Sequence, residues 1–597
     1  MARRLPLLPA LDGIRAIAVV AVLLYHADLI RFLGGFLGVE VFFVLSGYLI
    51  TSLLLAEHRS TERIAIGAFY VRRARRLLPA VFLMLFVVTV AFVIGWPEEV
   101  GRIRGDVLAA FTYVSNWYLI GIDHSYFAQL GRPSPFGHLW SLAIEEQFYL
   151  LWPLMLSLLA ARFRSDRDRA VWIAGAIGLS FAAMALLFRP GDPTRAYFGT
   201  DTRASGLLIG ALLAVVWRPW DAERRTPTIA PWMLDAAALG SLGVLLWTFM
   251  RWDEFADFTF RPGLAVVSVA TAVLIAACVH PAARVTRVLA LPPMRWLGHR
   301  SYAIYLWHWP VFVVTRPGVD YDISIMQALA PRLAVTLLLA DLSYRFVEKP
   351  IRAGLLGRTA RRIRERAHAS PVALRGIAYG WSTIMTVSVL SLAMLAGALV
   401  RAQPPVADAA VPGLDPRPRP VATRDAPGDR KRTRKRAIPW SDVVRVPSNA
   451  FGDSVMLGAR GALKDQFSRI RVNAAVSRQA WHVPALIRQV RREGNLRAQV
   501  IIHVGNNGYF LRSHFDTIMG LLGDTERVLF LTVKVPRSWE ARSNQTIAEG
   551  VTRYDNAEMV DWHKLWRQCE VDVFTVDAFH MTRAGARCYA RLIATTF

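Results

Sequence analysis

The sequence predicts a polytopic all-α membrane domain of about eleven transmembrane helices, followed by an extracytoplasmic α/β domain with a parallel sheet. Three observations predict it. The 597-residue chain is 54% hydrophobic, with a mean hydropathy of +0.31, more apolar than soluble domains are. Apolar runs of spanning length recur up to about residue 400, each long enough to cross a hydrocarbon core of about 30 Å as a helix. Beyond about residue 441, short apolar strands alternate with amphipathic stretches, the pattern of an α/β domain.

The N-terminus, with Arg3 and Arg4 before an apolar run, mimics a signal peptide. No small-x-small cleavage site follows, so it reads as an uncleaved signal anchor. Spans are expected near 12–30, 38–56, 77–95, 138–160, 170–188, 203–217, 232–250, 262–280, 299–315, 326–346 and 376–400. With the N-terminus cytoplasmic, the inside loops carry Arg59, Arg63, Arg72, Arg73, Arg75 and Arg76, then Arg162 to Arg169, Arg218 to Arg225, and Lys349 with the Arg-rich 352–366. The outside loops are poorer in arginine, so the positive-inside rule supports the order. The same rule accounts for a net charge of +26, and nucleic acid is not expected as a partner. The aromatic stretch FTYVSNWYLIG within 96–137 reads as an interfacial or re-entrant helix rather than a loop.

The domain boundaries follow. Residues 1–350 form the membrane domain. Residues 351–400 form a cytoplasmic basic segment and a final transmembrane helix. Residues 401–440, Pro-rich and then basic (DRKRTRKR), form a linker with no packed core. Residues 441–597 form the α/β domain. An odd number of spans puts that domain outside. Cys278, Cys569 and Cys588 are the only cysteines, so neither a disulfide framework nor a metal site is indicated. Cys569 and Cys588 either pair in an oxidising compartment or stay as two thiols.

Ionisable side chains in lipid are costly and mark function by default. The first hairpin carries Asp12, Arg15, His26 and Glu40, and later runs carry His138, Ser141, Glu145 and Glu146. Ser141 and Glu145, at i and i+4, share a helix face with His138. His308 stands in a Trp-rich run and reads equally well as an interfacial residue.

In the last domain, FGDSV puts Ser454 after a strand. AAVSRQ puts Ser477 and Arg478 after a second, and HVGNNG puts Gly505, Asn506 and Asn507 after a third. DAFHMTRAG puts Asp577 and His580 before the final helix. A serine nucleophile needs a base, the base an orienting acid, and the oxyanion its donors. Ser454, His580 and Asp577 fit the first three roles. The backbone N–H groups of Ser454 and Ser477 and the side chain of Asn507 fit the fourth.

These blocks resemble the SGNH hydrolase superfamily (GDS, Gly, GxN and DxxH in order). The departure is Ser477, which stands where that family has Gly; the role is a backbone N–H, which Ser keeps. Residues 1–350 resemble the acyltransferase 3 family through LDGIRAIAVVAVLLYH, GVEVFFVLSGYLIT, FYVRRARRLLPA, HLWSLAIEEQFYLLWP, DTRASGLLIGALLA, SYAIYLWHWP and FVEKPIR. The two modules together look like fused proteins that O-acetylate cell-surface glycans. The resemblance implies a cytoplasmic acyl-CoA donor, with acetyl-CoA expected, a surface-glycan acceptor, no resident cofactor and no metal, in a bacterial plasma membrane. It implies donor binding by Arg72, Arg73, Arg75 and Arg76, aided by Asp12 and Arg15. His26 becomes the acyl-transfer residue, as general base or transient carrier. Two rivals stand beside this reading. One is a membrane-anchored extracytoplasmic esterase. The other is a transporter, against which no paired broken-helix repeats are found.

Overall fold

In the computed structural model the described residues are 8–27, 29–122, 133–188, 193–219, 229–252, 258–317, 320–321, 323–355, 397, 443–475, 478–535, 539–574 and 579–596. The chain divides into two compact units, with the main division between Pro405 and Val406.

The first unit is built from helices. Pro9 opens α1 (Pro9–His26), where its missing N–H is no loss. α2 (Gly38–Thr61), α3 (Ile66–Gly95), α4 (Val100–Phe111), α5 (Ser115–Gly121), α6 (Trp140–Arg162) and α7 (Asp166–Leu187) follow. Next come α8 (Thr194–Phe198), α9 (Thr200–Val216), α10 (Pro231–Arg251), α11 (Leu264–Cys278), α12 (Thr286–Leu289), α13 (Pro292–Val314), α14 (Ile325–Ser343) and α15 (Lys349–Arg352). Ten of the eleven expected spans are helical over their ranges; the eleventh, 376–400, lies outside the described residues but for Gly397. Among the described residues, eight helical stretches are long and apolar enough to cross a membrane by length and composition alone. α9 is short for that measure and α13 carries Arg295, His299 and Arg300. Leu150, Leu151, Leu154, Leu158, Leu179 and Leu186 are exposed on α6 and α7, a surface suited to lipid rather than water.

Over residues 96–122 the chain is helical rather than a loop. It forms α4 and α5, and Asn116 of α5 is buried, donating to the Phe198 carbonyl (3.0 Å) and to Thr200 Oγ1 (2.9 Å). α5 has 7 residues, too few to span.

Inside the bundle, small residues let backbones touch. A Cβ at Gly47 of α2 would lie 1.8 Å from the Leu207 carbonyl oxygen of α9.

In the second unit five parallel strands run in the order β2-β1-β3-β4-β5. They are β1 (Ser448–Gly452), β2 (Ile470–Ala474), β3 (Gln499–His503), β4 (Arg527–Leu531) and β5 (Ala557–Val560). β1 and β3 are buried along their whole length, as expected of a sheet covered on both faces. Val455, Leu463 and Tyr589 belong to one apolar cluster and Phe451, Ile487 and Phe515 to another. The chain leaves β1 for β2 on one side and continues through β3 on the other. The carboxyl end of β1 is therefore the switch point, where open α/β sheets bind ligands.

We expect Gly47→Val to destabilise the first unit by about 1–3 kcal/mol, since overpacking forces the α2 and α9 backbones apart. Gly67→Val, with open space around its glycine, is the control. Melting temperatures of the purified proteins check this: the first variant is expected to melt lower and the second to match wild type.

Candidate active sites

At the switch point, β1 ends at Gly452 and Asp453 caps the next helix, α16 (Ser454–Gly458), by accepting from the Val455 N–H at 3.1 Å. Ser454 is thus the first helical residue, 1% exposed. Its Oγ lies 2.9 Å from His580 Nε2. The segment bearing His580 is held at both ends: Phe574 bridges Met581, and the Thr582 N–H donates to the Val573 carbonyl (2.9 Å). Thr582 then caps α17 (Arg583–Ala594) by accepting from the Gly585 N–H at 3.0 Å. Asp577 and Ser477 lie outside the described residues.

Gly505, at φ +113, turns the chain after β3 in a conformation that favours glycine. Asn506 donates its backbone N–H (3.2 Å) and its amide (3.0 Å) to the Asp453 carboxylate. Asn507 is fully buried and donates its amide to the Arg478 carbonyl (3.1 Å). The Arg478 guanidinium donates to the carbonyls of Gly452 (3.1 Å) and Asn473, tying β1 to β2. Of the expected residues, Ser454 and His580 therefore meet at the end of the sheet, and Asn507 stands in the turn after the neighbouring strand β3.

Beneath them is a layer that the sequence did not announce. His503 is buried, with Nδ1 2.8 Å from the Tyr589 hydroxyl of α17 and Nε2 3.4 Å from the Asn506 amide. Burial pushes the Asp453 carboxyl up to about 6, against the hydrogen bonds from Asn506 and Val455. Burial also holds His503 down at about 3 and His514 at about 4. Asp453 and Asn506 stand inside the GDS and GNN blocks. Tyr589, 86 residues from His503, had no signal. Cys569 and Cys588 pair, which settles the choice left open above.

The first unit holds a cavity of about 160 Å³ walled by α1, α2, α3, α6 and α13. Arg15, Arg73 and Arg76 line it, with Ser46, Glu145, Ser141 and Tyr305. Ser46 donates to Glu145 (2.8 Å) and accepts from Tyr149 (3.0 Å). Tyr305 donates to the His138 carbonyl (2.9 Å), and its oxygen lies 2.7 Å from Ser141 Oγ.

His138, His308 and His26 are buried beyond Tyr305 rather than on the cavity wall. The His138 and His308 rings are 5.6 Å apart. His308 Nδ1 faces the Tyr305 carbonyl at 2.7 Å, so it carries the hydrogen. Neutral His308 then accepts at Nε2, 3.1 Å from His26 Nδ1. By this pattern His26 keeps its lone pair on Nε2, the arrangement of a base held by a second histidine.

Several expectations change. The four arginines of α3 do not act as one set: helical periodicity turns Arg73 and Arg76 to the cavity and leaves Arg72 and Arg75 exposed. Arg72 pairs with Glu57 at 3.1 Å. Arg73 lies over the Phe69 and Tyr149 rings, 5.5 Å from each. Asp12 is not on the cavity wall; it lies 3.8 Å from Arg15 and 3.0 Å from His299. Glu40 sits apart, ion-paired with Arg203 (2.8 Å) and accepting from Ser268 (2.5 Å). Glu146 does not line the cavity. His308, read as equally interfacial, is fully buried beside His26.

Residues 8–344 match the family described as Acyltransferase domain. Over 98% of this chain, YrhL of Bacillus subtilis is 35% identical across 98% of its own length. The peptidoglycan O-acetyltransferase OatA of Listeria monocytogenes is 32% identical, over 98% of this chain and 97% of its own. Among solved structures, the C-terminal catalytic domain of Streptococcus pneumoniae peptidoglycan O-acetyltransferase A, bearing a methylsulfonyl adduct, is 21% identical. It covers 26% of this chain and 92% of its own, with a TM-score of 0.24.

The buried histidines fix a pH dependence. A base held below its unfolded value keeps its stability contribution above that value and loses it as pH falls toward the folded one. His503 and His514 therefore cost stability from about pH 6.5 downward. Asp453, raised from 3.8 to about 6, acts oppositely, but two histidines outweigh one carboxyl. In residues 441–597 expressed alone, the unfolding free energy should fall from pH 6.5 to 4.5. Each proton taken up on unfolding contributes about 1.4 kcal/mol per pH unit. Urea melts of His503→Gln should show that slope reduced by about one proton.

Proposed function

We propose, from the premise that this chain belongs to the acyltransferase family matched over residues 8–344, that it moves acetyl groups from cytoplasmic acetyl-CoA to hydroxyls of cell-wall peptidoglycan. The chain is a multi-pass membrane O-acetyltransferase; donor, acceptor and route are the proposal. The observation that carries it is the buried contact of Ser454 with His580 at the switch point of the sheet. The orientation has the N-terminus cytoplasmic and the second unit extracytoplasmic in a bacterial plasma membrane. The Cys569–Cys588 disulfide supports an oxidising compartment for that unit.

Arg73, Arg76 and Arg15 suit the donor's phosphates through charge-assisted contacts. The pantetheine arm then lies along the cavity with its thioester near Ser141 and Tyr305. His26, held by His308, serves as the base or transient carrier that takes the acyl group onward. At the second site His580 removes the Ser454 proton as Oγ attacks the carrier's acyl carbonyl, and hands that proton to the carrier atom released as its bond to the acyl group breaks. The N–H groups of Ser454 and Ser477 and the Asn507 amide receive the oxyanion, and Asp577 orients His580. A glycan hydroxyl, deprotonated by His580, then takes the acyl group and Ser454 recovers its proton. A membrane-anchored esterase would need the Ser454–His580 pair alone. The arginine-lined cavity beside three buried histidines argues against a bundle that merely anchors.

The α3 periodicity supplies the test. Arg73→Gln and Arg76→Gln are each expected to raise KM for acetyl-CoA about tenfold or more, because a charge-assisted contact is worth about 1.5–3 kcal/mol. Arg72→Gln and Arg75→Gln are expected to stay near wild type. Ser454→Ala is expected to lower transfer to glycan by at least about 10³-fold. Steady-state assays in lipid vesicles measure all five. Equal KM values across the four arginine variants would remove the donor assignment.

A further inference from the structure

Acyl-Ser454 meets water as well as sugar, and His580 would deprotonate either. An acetyl transferase therefore needs a surface that holds the acceptor where water would otherwise sit. Two aromatic residues stand by the segments that follow β2 and β3. Gln479 follows Arg478 and donates its amide to the Asn507 carbonyl (3.2 Å). The turn it begins carries Trp481, half-buried, with its ring against His482 (5.6 Å) and His514 (6.0 Å). On the other flank, half-buried Trp539 donates Nε1–H to the Gly505 carbonyl (3.1 Å) and lies 6.1 Å from the Tyr509 ring. The exposed Arg542 guanidinium stands 5.8 Å over Tyr509. Trp539 is thus fastened to the loop that supplies Asn506 and Asn507, and so is Gln479, two residues before Trp481. Residues 443–597 contain 21 Lys and Arg against 14 Asp and Glu.

We propose that Trp481, Trp539 and Arg542 form the acceptor subsite of the Ser454 centre, seating a sugar ring of a carboxylate-bearing glycan. The inference rests on the acyl-transfer reading above. An indole face covers the C–H face of a pyranose while its edge keeps a hydrogen bond, as Trp539 does with Gly505. The arginine matches a carboxylate. The step balances: the sugar oxygen attacks the Ser454 acyl carbonyl and gives its proton to His580. The Oγ–C bond breaks, and that proton returns to Oγ.

The test uses the full-length protein in detergent with p-nitrophenyl acetate as soluble donor. The p-nitrophenol burst counts acyl-Ser454 formed. Acceptors are a neutral chito-oligosaccharide and de-O-acetylated peptidoglycan strands, which carry carboxylates. Acetyl on glycan relative to acetate released, normalised to the burst, is read by mass spectrometry. Trp481→Ala is expected to lower that ratio about tenfold or more for both acceptors, with Trp481→Phe recovering most of it. Arg542→Gln is expected to lower it for the carboxylate strands only. Ratios at the wild-type level in both Trp481→Ala and Arg542→Gln would overturn the subsite. A wild-type protein that bursts and hydrolyses but acylates neither glycan would instead overturn the transfer reading, and the subsite with it.

Discussion

A charged group inside an apolar bundle has to meet a partner, because removing it from water costs several kcal/mol. In the first unit Glu40 and Arg203 meet that constraint by pairing with each other. Both are buried to within a few per cent, and the arginine lies near the rings of Phe43, Trp140 and Tyr197. Gly206 leaves room for the carboxylate: a Cβ there would lie 2.1 Å from Glu40 Oε1. With Ser268 the pair joins α2, α9 and α11. Breaking such a pair from one side typically costs about 3–5 kcal/mol, so Glu40 reads as a structural keystone. Arg73 and Arg76 contrast with it, since they line an open cavity.

The second unit meets the same constraint with a layered network. Asp453 is buried under the nucleophile and takes hydrogen bonds from its own helix and from Asn506. His503 and Tyr589 carry the network down to the last helix. Three chain segments thereby converge on the carboxyl end of β1. The consequence is a serine whose position depends on the sheet topology more than on its own loop. The Cys569–Cys588 bond encloses the segment bearing His580, which fastens the base from the other side.

What was legible in the sequence was local. GDS, GNN and the final His block each follow one strand or precede one helix, so short motifs were enough to single out Ser454 and His580, which the fold brings within 2.9 Å of each other. Ten helical ranges were legible from apolar length. The arginine motif was legible as a motif, but its division into two faces was read only after the helix was seen, although the i, i+3 spacing of Arg73 and Arg76 carried it. The contact of His26 with His308 spans 282 residues and depends on α1 packing against α13, which no local pattern encodes. Tyr305, Arg203 and Tyr589 escaped for the same reason. Asp12 and Glu40 look alike in sequence, as acids in apolar runs, yet one meets His299 and the other a buried arginine.

The central claim is that one acyl path starts at the arginine-lined cavity and ends on Ser454. The most direct measurement places the full-length protein in vesicles of one orientation and supplies isotope-labelled acetyl-CoA to the arginine side alone, without acceptor. Peptide mass spectrometry then reads the Ser454 peptide. The account predicts labelled acetyl on Ser454 in wild type and its loss in His26→Ala. Acetyl-Ser454 that forms equally well in His26→Ala, or only when acetyl-CoA is supplied to the Ser454 side, would contradict it.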